Sequence, residues 1–89
     1  MPSRSSRRRW SRVAPSTHER SLMFSRCGRR CFLGTKKSFP ICSRHTCKIN
    51  RSGVLAAYQR AREFVSRRPR SSKYRRISRR ALRLLHRRK

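Results

Sequence analysis

Two carboxylates stand against 28 Lys and Arg in this chain of 89 residues, a formal net charge of +26. The acids are Glu19 and Glu63. Intramolecular salt bridges therefore cannot neutralise the chain. Counter-charge has to come from outside, from nucleic-acid phosphate or from a strongly acidic protein surface. By count, 23 of the cations are Arg and 5 are Lys. Arg presents a planar fork of donors that matches phosphate oxygens two at a time, and it stays charged at any ordinary pH. Hydrophobic residues make up only 34% of the chain, against about 45–50% in ordinary domains. A core drawn from so few residues is marginal unless it is stapled or docked on a partner.

The composition divides the chain into three parts. Residues 1–25 form a basic Ser/Arg-rich segment with Pro2 and Pro15, and read as an extended arm. Arg-rich, Ser-rich, acid-poor composition also fits a mitochondrial targeting peptide, but apolar residues at amphipathic spacing are nearly absent. Trp10 is the one aromatic in residues 1–20 of the arm, placed to stack on a base or to anchor the arm in a protein groove. Ser16 and Glu19 stand at capping-box spacing ahead of a short helix through Leu22, Met23 and Phe24.

Residues 26–66 carry all four cysteines and the clearest helix. Cys31-Phe32-Leu33 and Phe39-Pro40-Ile41-Cys42 flank a polar Gly-Thr-Lys-Lys-Ser tip, which suggests a small hairpin or knuckle. Pro40 has no N–H to give, so any such strand lies at an edge. Asn50 or Ser52 can cap a helix over about 52–66, where Val54, Ala57, Tyr58, Ala61 and Val65 form an apolar stripe. Packing that stripe on Phe32, Leu33, Phe39 and Ile41 would make the core. Tyr58 and Phe64 read as core residues rather than base-stacking ones. The expected fold is small and irregular, α+β or mainly α: a Cys-stapled knuckle on one amphipathic helix, with a basic extended N-terminal arm and a basic C-terminal helix.

Residues 67–89 hold 12 of the 28 cations by count. Tyr74, Ile77, Ala81, Leu84 and Leu85 recur at helical spacing among Arg75, Arg76, Arg79, Arg80 and Arg83. Such a basic amphipathic helix suits a nucleic-acid groove, an anionic membrane surface or an acidic protein. Like charges four residues apart repel, so docking on a partner should be what folds it. The candidate polyanion-binding residues are Arg7, Arg8, Arg9, Arg67, Arg68, Arg70, Arg75, Arg76, Arg79, Arg80, Arg83, Arg87 and Arg88. No apolar run approaches the roughly 20 residues that span a bilayer, and no signal-peptide segment is evident.

Cys27, Cys31, Cys42 and Cys47, with His45 inside the last loop, leave two principal uses open. Four ligands in so short a span can hold one structural zinc, with His45 replacing a cysteine, although the spacers are looser than those of a zinc ribbon. Alternatively they form two disulfides, Cys31–Cys42 across the hairpin with Cys27–Cys47 as its companion. Free buried thiols are a third use. Ordinary cytosol disfavours disulfides, while some compartments and particles are oxidising.

Catalysis is not expected. No carboxylate pair, Gly-rich phosphate loop or histidine-based triad is present. No small-molecule substrate is implied.

The strings CFLGTKKSFPIC and CKINRSGVLAAYQRAR carry a resemblance. They resemble small basic proteins of nucleocytoplasmic large DNA viruses, such as those infecting algae. The match runs from Cys31 to Arg62, about a third of the chain. It rests on Cys31, Phe32, Leu33, Phe39, Pro40, Cys42, Cys47, Gly53, Ala56, Ala57, Arg60 and Ala61. The resemblance implies a non-enzymatic virion component on the inner side of the capsid. Such a protein is either a minor capsid protein bound to acidic capsid surfaces or a packaging protein on the genome, which favours DNA over RNA. Viruses of this group make disulfides in the cytoplasm, so it also favours disulfides over zinc. The alternative is a ribosomal or mitoribosomal protein whose basic tails thread through RNA; its tails would mix in more Lys. A sequence-specific DNA reader is disfavoured, since no finger or helix-turn-helix spacing is present.

Overall fold

Small residues decide how this chain closes. The computed structural model describes residues 4–87, with side chains over 9–86. Among the described residues it is mainly α, with four α-helices and no strand: α1 (Arg4–Val13), α2 (Thr17–Cys27), α3 (Arg51–Arg67) and α4 (Ser72–Arg87). A 3-10 turn, Gly28–Cys31, follows α2 directly. On α3, Gly53, Val54, Ala57 and Ala61 are buried. On α4, Ile77, Ser78 and Ala81 are buried. Ala61 and Ala81 are wholly inaccessible (both 0%), so the two helices meet where neither carries a long side chain. The link between them is short. Arg68 N–H donates to the Phe64 carbonyl (2.8 Å), and Ser71 N–H donates to the Arg68 carbonyl (3.0 Å). Arg51, at the start of α3, reaches the Leu85 carbonyl near the end of α4 (3.5 Å). The pair is an antiparallel αα-hairpin.

The helix starts are set locally. Asn50 caps α3, its side-chain oxygen accepting from the N–H groups of Ser52 (2.8 Å) and Gly53 (3.3 Å). The helix expected over about 52–66 is thus observed at Arg51–Arg67. Ser16 and Glu19 make the reciprocal capping box on α2. Met23 is the buried residue of α2, whereas Leu22 (51% exposed) and Phe24 (39% exposed) face outward.

Between α2 and α3 the chain forms the expected knuckle without regular strands. Single antiparallel bridges join Phe32 to Pro40 and Cys42 to Ile49. Leu33 N–H donates to the Phe39 carbonyl (3.0 Å), and Ile41 N–H donates to the Cys31 carbonyl (2.8 Å). Both disulfides pair as the hairpin reading proposed. Cys31–Cys42 spans 5.1 Å between Cα atoms and Cys27–Cys47 spans 5.5 Å. No group of His, Cys, Asp or Glu suited to a metal ion occurs among the described residues.

The core has two halves. Leu33, Ile41, Val54, Ala57, Ala61, Ile77 and Ala81 form the larger, with Phe39, Tyr58, Tyr74, Leu84 and Leu85 half-buried around it. Met23, Cys31, Phe32 and Cys42 form the smaller. Phe32 was expected under the stripe of α3; it lies instead with the buried disulfide and tilts against Phe24, ring centroids 6.0 Å apart. The reason is the side-to-side alternation of an extended segment: Leu33 turns to α3, so its neighbour Phe32 turns to α2.

Two further expectations change. The N-terminal segment is not an extended arm, because residues 4–13 form α1. Trp10 docks it: a Cβ placed on Gly53 would lie only 2.7 Å from the Trp10 ring, so the absence of a side chain at Gly53 makes that seat. Arg44 N–H also caps the end of α1 by donating to the Val13 carbonyl (2.8 Å). Nor does α4 wait for a partner to fold, since its apolar stripe packs on α3. The radius of gyration is 12.3 Å, close to the about 12 Å of a folded chain of this length.

Candidate polyanion-binding surface

Burial of one side of α4 forces its cations to the other. Lys73, Arg75, Arg76, Arg79, Arg80 and Arg83 are all exposed. At 100° per residue, Arg76, Arg80 and Arg83 fall on one row and Arg75 and Arg79 on the next. The first row presents three guanidinium groups along about 10 Å of helix, a length that spans about three phosphates of a strand at about 3.4 Å each.

Arg76 and Arg80 of the first row line one wall of a cleft of about 650 Å³, and Arg83 continues the row beyond it. Arg29 of the 3-10 turn and Lys36 and Lys37 of the knuckle tip line it with Lys73, Arg76 and Arg80 of α4. Phe24, Phe32, Leu33 and Ile77 supply apolar lining, and no carboxylate is among the lining residues. Six cations from three chain segments thus converge on one concavity. The first turn of α4 opens onto it through Ser72 and Lys73, which adds the positive end of a helix dipole.

The knuckle tip is built to present its lysines. Lys36 (φ 54°) and Lys37 (φ 62°) both adopt the left-handed conformation, and Ser38 N–H closes the turn on the Thr35 carbonyl (3.1 Å). Two successive left-handed residues are the mark of a type I′ turn, which ordinarily takes Asn-Gly. Lysine there costs about 1 kcal/mol or more per residue. Lys37 is tied back by its ammonium donating to the Ser21 hydroxyl of α2 (3.3 Å). Phe39 (φ 54°) is left-handed as well; its ring lies edge-on to Phe64 and Tyr74, at 6.5 and 6.2 Å.

Glu19 lies apart from the cleft and is already engaged. Its carboxylate accepts from Ser16 N–H (2.8 Å) and from Arg44 (2.7 Å), with His45 Nε2 at 3.3 Å. The Ser16 N–H, then the Arg44 guanidinium, hold its pKa at about 2, down from 4.5. His45, considered as a zinc ligand, is thus a neighbour of Glu19 in the loop beside Cys47. A depressed folded-state pKa means this contribution to stability is complete above about pH 4.5 and is lost as pH falls towards 2. Glu19→Gln is expected to flatten the fall in melting temperature across that window. Parallel curves for the native chain and the variant would show that the carboxylate contributes nothing.

The remaining sequence candidates scatter over the surface. Arg9, Arg67, Arg68 and Arg70 are exposed, the last three around the α3–α4 link. Arg75 also donates to the Pro69 carbonyl of that link. Arg7, Arg8 and Arg87 lie on helices but outside the described side chains, and Arg88 lies outside the described residues. Arg29, Lys36, Lys37 and Lys73 were not singled out in the sequence; only the fold brings them together. No helix among the described residues is long and apolar enough to cross a membrane. No family model matches the chain, and no curated protein or solved structure matches it.

Proposed function

We propose that this chain is a non-enzymatic structural protein of a large DNA virus particle. In this reading it is a minor capsid component on the inner side of the shell that binds the phosphates of packaged DNA. The single observation behind the phosphate reading is the acid-free cleft into which Arg29, Lys36, Lys37, Lys73, Arg76 and Arg80 converge. An arginine fork meets two phosphate oxygens at once, and the row on α4 extends that surface along a strand. Binding by charge carries no sequence code, which suits a protein that must accept any stretch of a genome. The resemblance carried by residues 31–62 supports the virion, and the stapled centre suits a part that holds position rather than turns over a substrate.

Ultraviolet and zero-length crosslinking in the native particle, read by mass spectrometry, tests this reading. Deoxynucleotide adducts on the peptides bearing Arg29–Lys37 and Lys73–Arg83 are expected. Ribonucleotide adducts would replace the virion with a ribosome. Crosslinks confined to acidic residues of a neighbouring protein would overturn the DNA reading in favour of an inter-subunit glue.

A further inference from the structure

A second concavity lies across Lys73 from the phosphate cleft and is lined by rings. It has a volume of about 610 Å³, within the about 300–1,000 Å³ of small-ligand pockets. Trp10 of α1, Phe39 of the knuckle, Phe64 of α3 and Tyr74 of α4 line it. Phe64 and Tyr74 stack at 4.7 Å with 20° between planes, and all four rings are only half-buried. Core packing explains part of this cluster, but it does not explain the cations around it.

Arg20, Arg60 and Lys73 line the same groove, with no carboxylate. Arg20 Nε is buried and meets no acceptor among the described residues. A buried donor without an acceptor is costly, so an acceptor supplied from outside would be favoured at this place. Half-buried rings beside cations, with no carboxylate in the lining, form the chemistry that takes a nucleobase: the rings offer stacking surface, while the cations offer donors to its carbonyls and to its phosphate. Lys73 lines both concavities, so a strand with its phosphates in the first has a base within reach of the second.

From this arrangement we infer that the groove bounded by Trp10, Phe39, Phe64 and Tyr74 receives an unpaired base of a single-stranded segment of the bound nucleic acid. The inference rests on the phosphate-binding reading. A paired base inside a duplex has both faces stacked and cannot enter. The chain therefore holds single-stranded or locally opened DNA more tightly than its charge alone dictates.

Trp10 is the only tryptophan in the chain, so its emission reports on the groove directly. The test titrates the oxidised full-length protein with a short oligothymidylate and with an abasic strand of the same length and charge. The oligothymidylate is expected to bind about tenfold more tightly, the value of one stacked base, and to quench Trp10 while the abasic strand does not. Tyr74→Leu keeps the apolar bulk and removes the ring, and should bring the ratio close to one with abasic affinity unchanged. Equal affinity of the native chain for both strands, or a Trp10 response that is the same for both, would overturn the groove and leave phosphate binding standing. Failure of both strands to bind would overturn the phosphate reading and the groove with it.

Discussion

Replacing all four cysteines, Cys27, Cys31, Cys42 and Cys47, with serine is expected to abolish the cooperative thermal transition of this protein. The disulfides are concentric, with Cys31–Cys42 (sequence separation 11) nested inside Cys27–Cys47 (sequence separation 20). Closing loops of these lengths removes about 3 kcal/mol of unfolded-chain entropy each, and about 5 kcal/mol together because the inner bond already shortens the outer loop. A chain of this size has a total stability of about 5–15 kcal/mol in favourable cases. This one has few apolar residues and a net charge of +26, so it sits at the low end. The two bonds are not equivalent. Cys31 and Cys42 are wholly buried (0% exposed) between Met23 and Phe32, whereas Cys27 and Cys47 are half-buried at the rim. Cys27→Ser with Cys47→Ser should therefore leave a folded but less stable protein, and loss of the inner pair should be the more damaging. Circular dichroism against temperature reads both. An unchanged transition in the fourfold variant would show that the helices hold the fold unaided.

The second large effect is on binding. Arg76→Gln, Arg80→Gln and Arg83→Gln together remove the exposed row of α4 without touching Ile77, Ser78 or Ala81, which pack on α3. Helix propensity changes little between Arg and Gln, and fewer like charges four residues apart relieve repulsion. The melting temperature should hold or rise. Affinity for duplex DNA should fall about a hundredfold at about 0.15 M salt, since each released counterion contributes about fivefold there. A fall in affinity accompanied by a fall in melting temperature would point to misfolding rather than lost contacts.

What the sequence made legible is what local rules control. The capping box at Ser16 and Glu19 is a pattern three residues apart, and it forms as read. The apolar stripe of α3 follows from its period, while the places of the cysteines around one hairpin suggested their pairing but left a zinc site open beside it. Non-local packing hides the rest. Trp10 could be read as an anchor, but nothing in residues 1–25 announces that its seat is Gly53 or that the basic arm becomes a docked helix. The stripe of α4 was visible, but its destination was not. Tyr74, Ile77 and Ala81 suit a partner's groove as well as the small-residue face of α3, and only the fold joins Ala81 to the core around Ala61. The cleft is hidden for the same reason. A search for charge runs finds Arg75, Arg76, Arg79 and Arg80, but passes over Arg29, Lys36 and Lys37, which become a site only when the knuckle folds over α4.

The measurement that tests the central claim most directly is the salt dependence of duplex DNA binding, made in parallel on the native chain and on the Arg76, Arg80 and Arg83 triple variant. Phosphate contact through the cleft and the α4 row predicts a steep, linear fall of log K with log salt concentration for the native chain. The triple variant should have a slope shallower by about 2.7, or about 0.9 for each lost phosphate contact. A native slope near zero, or equal slopes for the two proteins, would contradict the assignment of this surface to nucleic-acid phosphate.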